Sequence, residues 1–137
     1  MNHLSHPSEL TFSYRAIGIV HNAFNEPTSP ETLKAAESHL IIEPDLQDGL
    51  EGLQPGGRLL VIFHFHLAPR EIKLLQHPRG DRSRPKRGVF ALHSPHRPNP
   101  IGATVVEIIS IQDNVLTVAG LDALNNTPVL DVKPFDE

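Results

Sequence analysis

Residues 87–102 read Arg-Gly-Val-Phe-Ala-Leu-His-Ser-Pro-His-Arg-Pro-Asn-Pro-Ile-Gly, and the fold turns on them. Pro95, Pro98 and Pro100 each fix φ and remove a backbone donor. Neither a helix nor a central strand can run through 94–100. Ser94, Arg97 and Asn99 precede prolines and are pushed toward extended geometry. The stretch is therefore a stiff polar loop carrying His93, Ser94, His96, Arg97 and Asn99. An apolar, strand-like run at 88–92 enters it and another at 101–111 leaves it. A rigid loop between core strands is a natural seat for binding groups. A plain Pro-rich surface turn is the other reading of the same residues.

Outward from this loop the chain reads mainly as β. The segment 58–67 is the most strand-like, and its continuous apolar start marks a core strand. Period 2 places His64 and His66 on one face and Phe63 and Phe65 on the other. Further strands are expected at 14–21, 40–42, 115–119 and 129–132, with Asp113-Asn114 as a hairpin turn. Short helical pieces are expected at 30–36, where Pro30 suits the first position, and at 45–53. Six or seven strands joined by tight turns predict a single-domain small β-barrel with short helical segments in its loops. Residues 1–13 are expected to be a flexible N-terminus and 14–137 the barrel domain.

Composition narrows the classes. The chain has 137 residues, 39% hydrophobic and 20% charged, as a globular domain has. Thirteen prolines and few aromatics argue against a helical bundle. Without cysteine there is no disulfide framework, thiolate metal site or cysteine nucleophile. The opening residues do not resemble a signal peptide, and no apolar run approaches the roughly 18 residues of a membrane helix. A cytoplasmic protein is expected. The net charge of −4 is uneven. Residues 70–97 hold eight of the twelve cations and two of the sixteen acids, +6 locally against −10 elsewhere. Such a segment, with Arg79, Arg82, Arg84, Lys86 and Arg87, suits a polyanion or is a solvated loop.

Several chemistries find no support. His64-x-His66 has ligand-like spacing, but nothing completes a metal site, and none is expected. There is no G-x-G-x-x-G or P-loop, so a Rossmann-type cofactor site is not expected. Ser94 lacks a nucleophile elbow. A second cluster runs from Gly120 to Pro134, where Asp122 and Asp131 flank a tight loop. Asp122 either faces a ligand or caps the loop.

Five segments together resemble one family. They are Ile-Gly-Ile-Val-His at 17–21, Phe-His-Phe-His at 63–66, Arg-Gly-Val-Phe-Ala at 87–91, Ser-Pro-His-Arg-Pro-Asn-Pro-Ile-Gly at 94–102, and Gly-Leu-Asp-Ala-Leu-Asn-Asn-Thr-Pro-Val-Leu-Asp-Val-Lys-Pro at 120–134. In this order they resemble the TsaA-like (TrmO, YaeB) family over residues 14–135. The resemblance implies a β-barrel, S-adenosylmethionine as cofactor and a homodimer whose interface contributes to the cofactor site. It also implies methylation of the N(6) nitrogen of threonylcarbamoyladenosine beside the tRNA anticodon. Carried over, the cofactor contacts fall on Phe65, His66, His93, Arg97, Asn99, Pro100, Ile101, Gly102, Leu121 and Asp122. His66 and Asp122 are the candidate bases. The basic segment would meet the phosphates of the anticodon region. His93 stands where many members have a cofactor-contacting arginine, exchanging a fixed charge for a titratable side chain. The family's early Arg-Gln-Pro-Gly segment is replaced by residues 25–29, and full-length bacterial members extend beyond the last motif. A barrel acting on another acceptor, or a non-catalytic ligand-binding module, is the alternative expectation.

Overall fold

The computed structural model describes residues 6–136. Its walls follow from alternating side chains. In β3 (Arg58–His64) Leu59, Val61 and Phe63 are buried, while Leu60, Ile62 and His64 are partly covered on the other face. The same alternation buries Val20 of β1 (Gly18–His21), Leu40 and Ile42 of β2 (Glu37–Ile42), and Leu116 and Val118 of β7 (Val115–Ala119). β6 (Ile101–Gln112) contributes Val106 and Ile108, and β8 (Pro128–Pro134) contributes Val129. Removing each such side chain from water is worth about 1.5–3 kcal/mol. That gain curls the sheet until its edges meet.

The result is a closed six-stranded barrel in the order β1-β2-β7-β6-β3-β8, antiparallel throughout. The longest uninterrupted ladder runs from Arg58↔Glu107 to His64↔Ile101. Two irregularities, at Ile62/Phe63 against β8 and Ile108/Ser110 against β7, bend the wall into a closed curve. Loops plug the two ends. Leu50 of the 3₁₀ segment Pro44–Leu50 enters the core from one end, and Leu121 and Ala123 enter from the other.

Several expectations shift. The first strand begins at Gly18 rather than residue 14, and Tyr14 is 77% exposed. β2 begins at Glu37, three residues before the expected start. The helix expected at 45–53 is a 3₁₀ segment, shortened by Pro44 and Gly52. α1 (Pro30–Ala35) forms as expected, with Ser29 accepting from the Thr32 amide.

The run at 88–92 is not a strand. Only Arg87–Gly88 (β5) pairs, with Leu75–Gln76 (β4), and Val89–Ala91 closes into a 3₁₀ turn. A two-residue ladder offers a single apolar anchor, Val89, and leaves Phe90 outside. The last strand extends to residues 128–134. Of the expected flexible terminus, residues 1–5 lie outside the described residues. Residues 6–13 are exposed and hold one 3₁₀ turn.

Closure depends on Gly18. A Cβ there would stand 2.5 Å from the Ile41 carbonyl oxygen and 3.1 Å from the Ile42 Cα, both backbone. Gly18→Ala therefore has to push β1 away from β2. A loss of about 1–3 kcal/mol is expected, read as a lower urea midpoint. An unchanged midpoint would mean that the strand pair gives way freely.

Candidate functional site

Strand direction sorts the loops. β1, β7 and β3 run toward one end of the barrel, and β2, β6 and β8 start from it. Loops 22–36, 65–100 and 120–127 therefore meet at that end, and all the candidate ligand residues lie on or beside the last two. Sequence separation is large, but the barrel brings the groups together.

Phe65 and His66 follow the last residue of β3. The Phe65 amide donates to the Pro100 carbonyl at 2.8 Å, which ties the strand exit to the proline loop. The Phe65 ring meets Phe63 edge-to-face at 5.3 Å. Phe63 and Phe65 thus share one face at the strand exit, as period 2 requires. Gly102 makes room for this pair: a Cβ there would stand 2.5 Å from Phe63 and 2.8 Å from Phe65. Leu121 is buried in the same core cluster against which Phe65 packs.

His66 lies beside Thr127. The Thr127 hydroxyl donates to the Leu124 carbonyl at 2.7 Å, so its oxygen is left to accept from the His66 Nδ1–H at 3.4 Å. That arrangement leaves the Nε2 lone pair as the basic site. Burial pushes the His66 pKa below the ordinary histidine value, and the neighbouring His64 lowers it further. The ring is therefore neutral at pH 7.

The proline loop holds itself. The Arg97 guanidinium donates from Nη1 to the Leu92 and Ser94 carbonyls at 2.9 and 3.1 Å. Ser94 Oγ accepts from the His96 amide. The His96 carbonyl takes the Gln76 side-chain amide at 3.0 Å and the Lys73 amide at 3.3 Å, which fastens β4 to the loop. Asn99 is exposed, its carbonyl accepting from the Ile101 amide at 2.7 Å. Ile101 is 42% exposed. Asp122 is half-buried and His93 exposed, and among the described residues neither side chain has a hydrogen-bond partner.

The 120–127 loop is fixed by a network the sequence did not flag. Asn22 donates to Ser38 Oγ and to the Ala123 carbonyl at 3.1 and 3.0 Å. The Asn125 carboxamide oxygen receives the Asn22 amide at 3.0 Å. Asn126, at φ +70, donates its amide to the Val20 carbonyl. The signal for it was Asn-Asn-Thr, which favours local turns over strands.

The basic residues divide. Arg79 pairs with Glu31 of α1 at 2.6 Å, both largely exposed. Arg82, Arg84, Lys86 and Arg87 are exposed, and no ion pair holds them among the described residues. Two shallow surface concavities, about 340 and 250 Å³, lie on the barrel's outer wall around Ile19 and around Thr117. Neither contains a candidate ligand residue. No three potential metal ligands converge among the described residues, and no helix is long and apolar enough to cross a membrane.

A family model described as the tRNA-methyltransferase O N-terminal domain matches residues 18–137. The chain belongs to this family. A probable S-adenosyl-L-methionine-binding protein of Methanothermobacter thermautotrophicus is 36% identical over 133 residues, covering 95% of this chain and 94% of its own. A putative S-adenosylmethionine-dependent methyltransferase of Pseudomonas aeruginosa, RcsF, is 35% identical over 136 residues, 92% of this chain and 55% of its own. The crystal structure of TrmO from Pseudomonas aeruginosa matches with a TM-score of 0.72 and 34% identity, over 93% of this chain and 57% of that one. The chain spans somewhat more than half the length of the solved TrmO chains it matches. A β-barrel family outside the Rossmann fold accounts for the missing nucleotide fingerprint.

The His66 environment has a measurable consequence. By NMR, its imidazole should titrate below the ordinary value of about 6.5. His64→Gln should raise the midpoint only part of the way, because burial is the larger cause. The fold is expected to lose the corresponding stability as pH falls below the unfolded histidine value. A midpoint at or above the ordinary value would place His66 in solvent.

Proposed function

We propose that this chain is an S-adenosylmethionine-dependent methyltransferase that modifies tRNA. Its acceptor is the N(6) nitrogen of threonylcarbamoyladenosine beside the anticodon, and it acts as a cytoplasmic homodimer. One observation carries the reading: in a chain of this family, Phe65, His66, the 94–102 loop and the 121–127 loop converge at one end of a rigid barrel.

The residues present fit the cofactor. Gly102 lets the Phe63 and Phe65 rings close over the start of β6, and the partly exposed Phe65 ring offers an aromatic face beside the proline loop. Leu121 anchors its loop in the core, and the carboxylate of Asp122, without a partner among the described residues, suits a ligand with a sulfonium and an ammonium group. His93, Asn99, Pro100 and Ile101, on the proline loop and at its exit, would contact the cofactor from that side. Arg97 stiffens the loop through its own carbonyls, so its part is to shape the site. When bound, S-adenosylmethionine supplies an activated methyl group whose transfer depends on in-line placement. Neutral His66, its Nδ1 turned toward Thr127, would take the proton released by the acceptor nitrogen at Nε2. Asp122 is the other candidate base. Arg82, Arg84, Lys86 and Arg87 supply unpaired positive charge for the tRNA backbone, while Arg79 first has to leave Glu31.

Calorimetry should show saturable binding of S-adenosylmethionine or its demethylated product, and no heat at millimolar ligand would end the enzyme reading. Mass spectrometry of tRNA nucleosides from cells with and without the protein tests the acceptor. An unaltered methylated threonylcarbamoyladenosine peak would transfer the activity to a different substrate. For the basic segment, the triple change Arg82→Ala, Arg84→Ala, Lys86→Ala should lower the slope of log affinity against log salt by roughly two to three, at about 0.7–0.9 per phosphate contact. An identical slope would return these residues to solvent.

A further inference from the structure

The basic segment carries a feature that charge does not explain. Phe90 is 79% exposed, the most exposed large apolar side chain among the described residues. It is not on a loose chain. Val89, beside it, is 1% exposed and donates its amide to the Leu74 carbonyl at 2.9 Å. Leu92 closes the turn onto the Val89 carbonyl at 3.1 Å. Behind the turn, β5 is paired with β4, and His77 Nδ1 reaches the Arg84 carbonyl at 2.8 Å. The ring is thus presented outward by a fixed turn. Space beside it is open: a Cβ on Gly88 would meet nothing within 4 Å.

A phenylalanine held outward on a fixed turn presents a flat aromatic face on which a planar partner can stack. The chemistry around it identifies the partner. Arg82, Arg84, Lys86 and Arg87 precede Phe90 within eight positions, exposed and without ion pairs among the described residues. A second copy of this chain would bring the same cations face to face across a two-fold axis, which like charges oppose. An unpaired RNA base answers both demands, since its face stacks on an aromatic ring while its phosphates meet the cations.

We propose that Phe90 is a stacking platform for an unpaired base of the RNA loop, flanked by a phosphate track from Arg82 to Arg87. This inference rests on the proposed tRNA reading and names the residue that distinguishes a loop from a duplex. Phosphate contacts alone hold paired and unpaired RNA alike, whereas stacking requires a base out of its helix.

The test uses the full chain with two labelled RNAs, an anticodon stem-loop hairpin and a fully paired duplex of equal charge, at low salt. Phe90→Ala should weaken hairpin binding roughly five- to 150-fold, the range found for losing one stacked base. Duplex binding and the hairpin salt slope should not change, and Phe90→Trp should restore affinity. Equal losses on hairpin and duplex, no loss on either, or failure of tryptophan to rescue would overturn the inference. Light scattering is read on the same variants. A dimer that Phe90→Ala converts to monomer, with hairpin binding unaffected, would assign the ring to self-association instead. Wild-type protein that binds neither RNA would sink the tRNA reading together with this one. Hairpin binding that Phe90→Ala leaves intact would sink this one alone.

Discussion

Everything in this molecule depends on a short seam. Only Gly18↔Val129 and Ile19↔Pro128 pair directly between β1 and β8, yet they close the barrel. Pro128 has no amide to donate, so the seam is reinforced from outside the ladder. Ile17 donates to the Val129 carbonyl at 2.8 Å, Val20 to the Thr127 carbonyl at 2.9 Å, and Asn126 to the Val20 carbonyl at 2.8 Å. The last two bonds come from the 120–127 loop. The contacts that close the barrel therefore also hold that loop across its end. Site geometry and fold stability are coupled at this seam, because a strand that slipped there would carry Thr127 away from His66.

The proline loop is held in another way. Its backbone has few donors, since three of the seven residues from 94 to 100 are prolines. Rigidity comes from φ restriction and from borrowed donors: the Arg97 guanidinium, the Gln76 carboxamide, and the Lys73 and Phe65 amides. Three of those four lie outside 94–100, so the loop's shape is imposed by β3 and by the arm before it. Gly102 completes the arrangement by letting the two phenylalanines close over the start of β6.

The barrel was legible from the apolar and β-branched runs at 58–64, 101–112 and 115–119, bounded by turn residues. The 88–92 run misled for a physical reason. Val-Phe-Ala-Leu has strand propensity, but β propensity is a matter of packing against neighbours, and here only Val89 is fully buried. Tyr14 misled likewise, apolar in character but with nothing to cover it. The site was legible as a set of motifs and not as an arrangement. Nothing along the chain joins His66 to Thr127, or Asn22 to Asn125, across separations of 61 and 103 residues. Those bonds exist because antiparallel closure brings particular strand ends together, and only topology supplies that.

Charge is segregated as sharply as hydrophobicity. A +6 segment spanning 70–97 is mounted on a remainder of −10. Among the described residues a single ion pair joins the two, Arg79–Glu31, and it is exposed, so it contributes little. The tethers that matter are neutral, namely Val89 in its apolar seat and the Gln76 and Lys73 bonds to His96. Neutral anchoring leaves Arg82, Arg84, Lys86 and Arg87 free for an outside anion, while the acidic remainder repels the same anion everywhere else. A polyanion is then steered toward the arm, and the arm is bonded through residue 96 to the loop that borders His66.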